Sequence, residues 1–97
     1  MSSMTSDQVA LQLDGLPAWQ LDGSSLVRTY EFADFASVVA FIVKMSFHAQ
    51  ELEHYPHWES YYTTLKVSIG NADQGTLHNR DVQLAKRLET SFNAQKM

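Results

Sequence analysis

The sequence predicts an α+β fold: a two-layer sandwich in which a four-stranded antiparallel sheet carries three helices on one face, in the order α-β-β-α-β-β-α. Three observations carry this expectation. The stretches 25-SLVRTYEF-32 and 65-LKVSIG-70 are rich in β-branched and aromatic residues, as strands are. Residues 34–52 and the segment beyond His78 repeat apolar side chains at helical spacing. The strands come in hairpin pairs, which makes the sheet antiparallel, and helices at both ends and in the middle can all cover one of its faces.

Taken in order, Thr5 to Gln8 has the Thr-x-x-Gln form of a capping box, so a short helix begins there, carries Val9, Leu11 and Leu13, and stops before Gly15. Pro17 opens an extended piece. Asp22-Gly23 is a turn signal, and the first hairpin spans Trp19 to Phe32. A long helix follows from Asp34 to about Leu52, with Phe35, Val38, Val39, Ile42, Met45, Phe47 and Ala49 as its apolar face. Pro56 forces the chain out of helix. The pieces 58-WESYY-62 and 65-LKVSIG-70 form the second hairpin, and Asn71 to Gly75 a loop. The last helix starts at Thr76 or His78 and places Val82, Ala85, Leu88 and Phe92 on one face. Tyr61 and Leu65 are expected on the open face of the sheet, and an uncovered sheet in a small chain invites self-association. A homodimer is therefore expected, using 65-LKVSIG-70 or its hairpin partner as the edge strand.

The 97 residues fit a single domain, 1–97, with a modest core. The net charge of −4 and the scattered Lys and Arg residues argue against a nucleic-acid partner. No apolar run approaches the roughly 20 residues of a membrane span. No positive flank precedes an apolar stretch at the N-terminus, so a cytoplasmic location without a signal peptide is expected. The chain contains no cysteine, which excludes disulfides, thiolate nucleophiles and Cys-ligated zinc.

The segment 53-EHYPHW-58 concentrates the chemistry: two imidazoles, a phenol, a carboxylate and an indole around a proline. As a metal site it is weak. His54 and His57 stand three residues apart, with His48, Glu51 and Glu53 nearby, but zinc needs three or four fixed ligands and the His-Glu-x-x-His helix pattern is missing. No metal and no cofactor are expected. As an acid–base site, His54 at the end of a helix can give and take a proton near neutral pH, but capping the helix end is the simpler role.

From Trp19 onward the chain resembles the pterin-4a-carbinolamine dehydratases. The features are 19-WQL-21, 32-FADF-35, 53-EHYPHW-58 and 80-RD-81, spread over about 80 residues with the family's spacing. The resemblance implies the same α+β fold and dimers joined edge to edge, or tetramers. It also implies a substrate, a 4a-hydroxytetrahydropterin, whose dehydration gives a proton to the leaving hydroxyl at C4a and takes one from N5. The family's pattern runs from an acidic residue, here Gln50, to a His, matched by His54. Next comes His or Asn, where Tyr55 stands, and then Pro56. The aromatic is matched by Tyr62, a later His or Trp falls on Ala72, and the closing Asp is Asp81. His54, Tyr55, Pro56 and Trp58 thus outline a remnant of the substrate pocket, with Gln50, Ala72 and Asp81 around it.

A phenol ionises near pH 10 and is a poor base at pH 7, and a methyl group does nothing. Losing one acid–base group costs about 10²–10⁴-fold in rate. The departures at Tyr55 and Ala72 are similar to those of dehydratase-like proteins encoded with α-carboxysome Rubisco and implicated in its assembly. That similarity implies a non-catalytic assembly factor (a chaperone) with the Rubisco large subunit as partner and a carboxysome association. The alternative is a divergent, active 4a-hydroxytetrahydrobiopterin dehydratase in pterin recycling, with His54 as catalytic residue and His57 or His78 compensating. A third role, a dimerisation cofactor of a transcription factor as some family members are, has no feature of its own here.

Overall fold

The computed structural model describes residues 5–70 and 77–96. The elements run α1 (Ser6–Asp14), β1 (Gln20–Asp22), β2 (Ser25–Glu31), α2 (Phe35–Leu52), β3 (His57–Tyr61), β4 (Thr64–Gly70) and α3 (Asn79–Lys96), the predicted order. The strands form one antiparallel sheet in the order β1-β2-β4-β3. The expected 71–75 loop, and Ala72 within it, lie outside the described residues.

Local chemistry accounts for the element ends. The Thr5 hydroxyl accepts from Gln8 N–H while the Gln8 side chain accepts from Thr5 N–H, a complete capping box. Asp34 caps α2 by accepting from Ser37 N–H at 2.8 Å, and hydrogen bonding from the Ser37 side chain, then from this N–H, holds its carboxyl below its ordinary pKa. The first hairpin turns on Gly23-Ser24, with Gly23 at φ 63°, one residue later than the Asp22-Gly23 signal. In the second, β3 begins one residue earlier than expected, and Tyr62 leaves it for the turn at φ 52°.

The sheet's helix-side face supplies Leu26, Tyr30, Leu65, Val67 and Ile69, all fully buried. Against them pack Val38, Phe41, Met45 and Ala49 of α2, and Val82, Leu84, Ala85, Leu88 and Phe92 of α3. Tyr30, Phe41 and Phe92 form an aromatic knot, with Tyr30 centroids 4.9 Å from Phe41 and 4.6 Å from Phe92. Such pairs contribute about 0.5–1.5 kcal/mol beyond burial.

The orientation of several apolar residues differs from expectation. Leu65 points into the core, not to the open face, because it pairs with Tyr30 across β2 and β4. The strand 65–70 is interior, and its hairpin partner β3 is the edge. The open face is polar: Thr29, Lys66 and Glu59 form one row, and Glu31, Thr64 and Tyr61 another. It therefore offers little apolar drive for self-association. On α2, Phe35, Val39 and Phe47 are exposed, while Phe41 takes the buried place. The helix is apolar on nearly every side, so periodicity alone does not say which side faces inward.

One charged group sits inside this frame. Glu89 of α3 brings a single carboxylate oxygen, Oε1, against three donors: Trp19 Nε1 at 2.9 Å, Arg28 Nε at 2.6 Å and the Tyr30 hydroxyl at 3.0 Å. The Arg28 guanidinium also lies over the Tyr30 ring, 4.2 Å from its centroid. Burial, and then the Glu89 charge, push the Tyr30 phenol far above its ordinary pKa. The sign follows from linkage. Below about pH 10 the phenol is neutral in both folded and unfolded chains and costs nothing. Above that the unfolded chain ionises first, so folding stability falls as pH rises. The melting temperature is expected to fall between about pH 9.5 and 11 more steeply in the parent than in Tyr30→Phe; equal slopes would remove Tyr30 as the cause.

Candidate functional site

The histidine-bearing link is built by the way α2 ends. Glu53 adopts the left-handed conformation at φ 51° and ψ 44°. Its N–H reaches Gln50 O at 3.2 Å, and His54 N–H reaches Ala49 O at 3.0 Å. These two bonds are the Schellman motif, and Pro56 follows to keep the helix from resuming. A glutamate in this region is less comfortable than the glycine usually found there. The consequence is a fixed departure angle for His54, Tyr55 and Pro56 before β3 starts at His57.

His54 turns toward α3. Its Nε2 meets Asp81 Oδ1, and Asp81 is fully buried. The other oxygen, Oδ2, accepts from His78 N–H at 2.8 Å, so Asp81 also closes the first turn of α3 from its third position. With Asp81 as a carboxylate, Nε2 of His54 is the donor, which leaves Nδ1 as the basic nitrogen of the neutral ring. His54 is mostly shielded, its side chain 17% exposed. An imidazole oriented by a buried carboxylate is an arrangement that acid–base catalysis uses, and it is equally a strong tie between the end of one helix and the start of another.

The remaining predicted residues separate into two places. Gln50, Tyr55, Pro56 and Trp58 line one cleft of about 330 Å³ together with Met45, Ser46 and Ala49. Its walls are mostly apolar, with an amide, a phenol and a hydroxyl as the polar groups. The Ser46 hydroxyl already donates to Val43 O at 2.6 Å. A flat heterocycle fits such a cleft against the Trp58 indole. His57 lies elsewhere. It lines a hollow with Asp22, Val27, Glu59, Lys66 and Ser68, on the open face of the sheet. His54 and His57 are thus on opposite sides of the sheet and cannot chelate one ion together. Glu51 is engaged by Arg87 of α3. Among the described residues no group of three or more His, Asp or Glu side chains is gathered for a metal, and no helix is long and apolar enough to cross a membrane.

Sequence reasoning placed Asp81 by resemblance but did not find its partners, His54 and the His78 N–H. It missed Met45, Ser46 and Ala49 in the cleft, because helix residues carry no separate signal for lining a pocket. It also missed Glu89. The signal was present: a carboxylate on the buried face of α3, beside Leu88 and Phe92, and an arginine on the inward side of β2, between Leu26 and Tyr30. Two opposite charges on two inward faces predict each other.

The fold matches a known class. Residues 2–91 match the family model described as pterin 4 alpha carbinolamine dehydratase. Relatives carrying the name "putative pterin-4-alpha-carbinolamine dehydratase" include one from Rhizobium johnstonii, 33% identical and covering 92% of this chain and 90% of its own. Another, from Mesorhizobium japonicum, is 30% identical over 92% of this chain and 93% of its own. A third, from Synechococcus sp. (strain WH7803), is 32% identical over 76% of this chain and 80% of its own. Among solved structures, a transcriptional coactivator/pterin dehydratase from Brucella melitensis has a TM-score of 0.83 at 23% identity, covering 92% of this chain and 97% of its own, and so shares the fold. The chain belongs to the pterin-4a-carbinolamine dehydratase family.

Proposed function

We propose that this family member is a non-catalytic, dehydratase-like binding protein that assists Rubisco assembly, with the Rubisco large subunit as its partner and a link to the α-carboxysome. The observation that carries the non-catalytic part is the make-up of the cleft lined by Gln50, Tyr55 and Trp58. It can hold a flat ring, but its polar groups are an amide, a phenol and a hydroxyl, none of which readily exchanges a proton at neutral pH. The imidazole that the chain does retain, His54, is occupied with Asp81. The Rubisco partner is supported by the resemblance of the Tyr55 and Ala72 departures to the carboxysome-linked subgroup.

A second reading rests on that same His54–Asp81 contact: an oriented imidazole is the kind of group that a surviving dehydratase would use. The two are separated by assaying purified protein on 4a-hydroxytetrahydropterin and, in parallel, by a pull-down with purified Rubisco large subunit. The expected result is turnover at the uncatalysed background together with retention of the large subunit. Turnover at ordinary enzyme rates, roughly 1–10³ s⁻¹, abolished by His54→Ala, would overturn the non-catalytic reading in favour of the enzyme. Absence of both turnover and binding would reject the Rubisco partner.

A further inference from the structure

From the cavity where β2 leaves the sheet we infer a binding site for an organic cation with N–H donors, an alkylammonium or guanidinium group of the kind that lysine and arginine side chains carry. The cavity measures about 270 Å³ and is lined by Glu31, Phe32, Ala33, Ser37, Phe92 and Gln95. It is separate from the histidine-bearing link and does not rest on the function proposed above. Glu31 pairs with Thr64 at the start of β4, whereas His57 pairs with Ser68 near the other end of that strand. Pockets for drug-sized molecules run from about 300 to 1,000 Å³, so this one suits a single group the size of a side chain.

The polar side chains of the cavity offer acceptors. Gln95 donates from Nε2 to Ser37 O at 2.9 Å. A carbonyl can meet only the NH₂ end of the amide, so this bond fixes the amide's orientation and leaves Oε1 over. That oxygen is shielded from water and has no donor. Buried carbonyl oxygens are nearly always paired, so this one calls for a donor. The Ser37 hydroxyl gives its proton to the Asp34 carboxylate, and its lone pairs remain to accept. Glu31 adds an exposed carboxylate, with Oε2 at 3.5 Å from the Thr64 hydroxyl. Among the described residues lining the cavity there is no Lys, Arg or His. Arg28, whose guanidinium lies 5.4 Å from the Phe92 centroid, is paired with Glu89. An anion therefore finds no donor here, and a wholly apolar group leaves the acceptors unmet. The longer-range charges have the same sign. Gln95 belongs to the last turn of α3, the negative end of that helix, while the positive end of α2 is answered by the Asp34 cap. The apolar walls fit as well. Phe32 and Phe92 stand edge to face with centroids 5.3 Å apart, and phenyl faces attract cations while covering an alkyl stem.

The test is a proton–nitrogen correlation NMR titration of the full chain with n-butylammonium chloride, sodium chloride keeping the ionic strength constant. A ligand of about five non-hydrogen atoms binds in the millimolar range, so the titration runs to about 50 mM. Saturable shifts are expected at the amides of Phe32, Ser37, Phe92 and Gln95, and n-propylguanidinium should move the same amides. The uncharged n-butanol has the same stem and should bind at least about tenfold more weakly. Glu31→Gln keeps the shape and removes the charge, and should weaken butylammonium about threefold or more. Glu31→Lys supplies a cation from the chain itself and should abolish saturation. Position 31 is exposed, and circular dichroism checks that both variants keep the parent's fold. The peptide acetyl-Gly-Lys-Gly-amide then distinguishes the sources of the cation. Binding as tight as that of butylammonium assigns the site to a basic side chain of a partner protein, and binding about tenfold weaker assigns it to a free amine. The inference is overturned by the absence of saturable shifts, by equal binding of n-butanol, or by unchanged affinity in Glu31→Gln.

Discussion

Glu89→Ala should bring the protein close to unfolding at 37 °C. The carboxylate removed is the shared acceptor of Trp19 Nε1, Arg28 Nε and the Tyr30 hydroxyl. Arg28 has only 17% of its side chain exposed, so the loss leaves a largely desolvated cation without its counter-ion, and the fully buried Tyr30 loses the carboxylate acceptor of its hydroxyl. Breaking a buried ion pair from one side costs about 3–5 kcal/mol. A domain of this size has about 5–15 kcal/mol in total. For a small domain each kcal/mol is roughly 4–8 °C in melting temperature, so a fall on the order of 15–30 °C is expected by thermal denaturation. Glu89→Gln keeps one oxygen for the three donors and should lose clearly less. A loss below about 1 kcal/mol in Glu89→Ala would mean that water reaches Arg28 and that the cluster is not a structural centre.

The second large effect concerns catalysis. Gln50 and Tyr55 line the cleft, and on the reading proposed above they stand in place of a carboxylate and a His or Asn. Tyr55→His alone should gain little in dehydration of 4a-hydroxytetrahydropterin, because groups that act as a unit are strongly non-additive. The triple change Gln50→Glu, Tyr55→His, Ala72→His supplies two imidazoles and a carboxylate, and on the proposed reading should raise the rate by about 10²–10⁴-fold over the parent. If Tyr55→His matches the triple variant, one base suffices and the unit argument fails. If the triple variant stays at background while folded, the missing groups are not what silences the cleft.

These two expectations differ in how far the sequence revealed their origin. The capping box at Thr5 and Gln8, the turn near Gly23 and the helix break at Pro56 are local: each is written in three or four adjacent residues, and each is found in the structure. The cleft was half legible. Gln50, Tyr55, Pro56 and Trp58 are close in sequence and share a motif, whereas Met45, Ser46 and Ala49 join them only because α2 presents that side to β3. The position of β4 inside the sheet was not legible, because hairpin patterns specify neighbours in sequence and say nothing about which strand of one hairpin meets the other. Nor was the rotation of α2, since a helix with apolar residues on nearly every side satisfies several orientations equally. Glu89 and Arg28 are 61 residues apart, and only their shared inwardness connects them.

The separation of partners along the chain also sets a clock. The central pairing of the sheet joins Ser25 with Gly70 and Glu31 with Thr64, and Trp19 waits for an acceptor 70 residues further on. At synthesis rates of about 5–20 residues per second, that interval is roughly 4–14 seconds. Until Gly70 is made the first hairpin has no complete second hairpin to zip against, and until Glu89 is made the Arg28 cation lacks its carboxylate partner. Helix α2, made in between, passes that time with both of its apolar sides bare. The last helix to emerge carries the group that closes the structure, so a nascent chain has no stable halfway form, and its solubility in that interval depends on what in its surroundings shields α2.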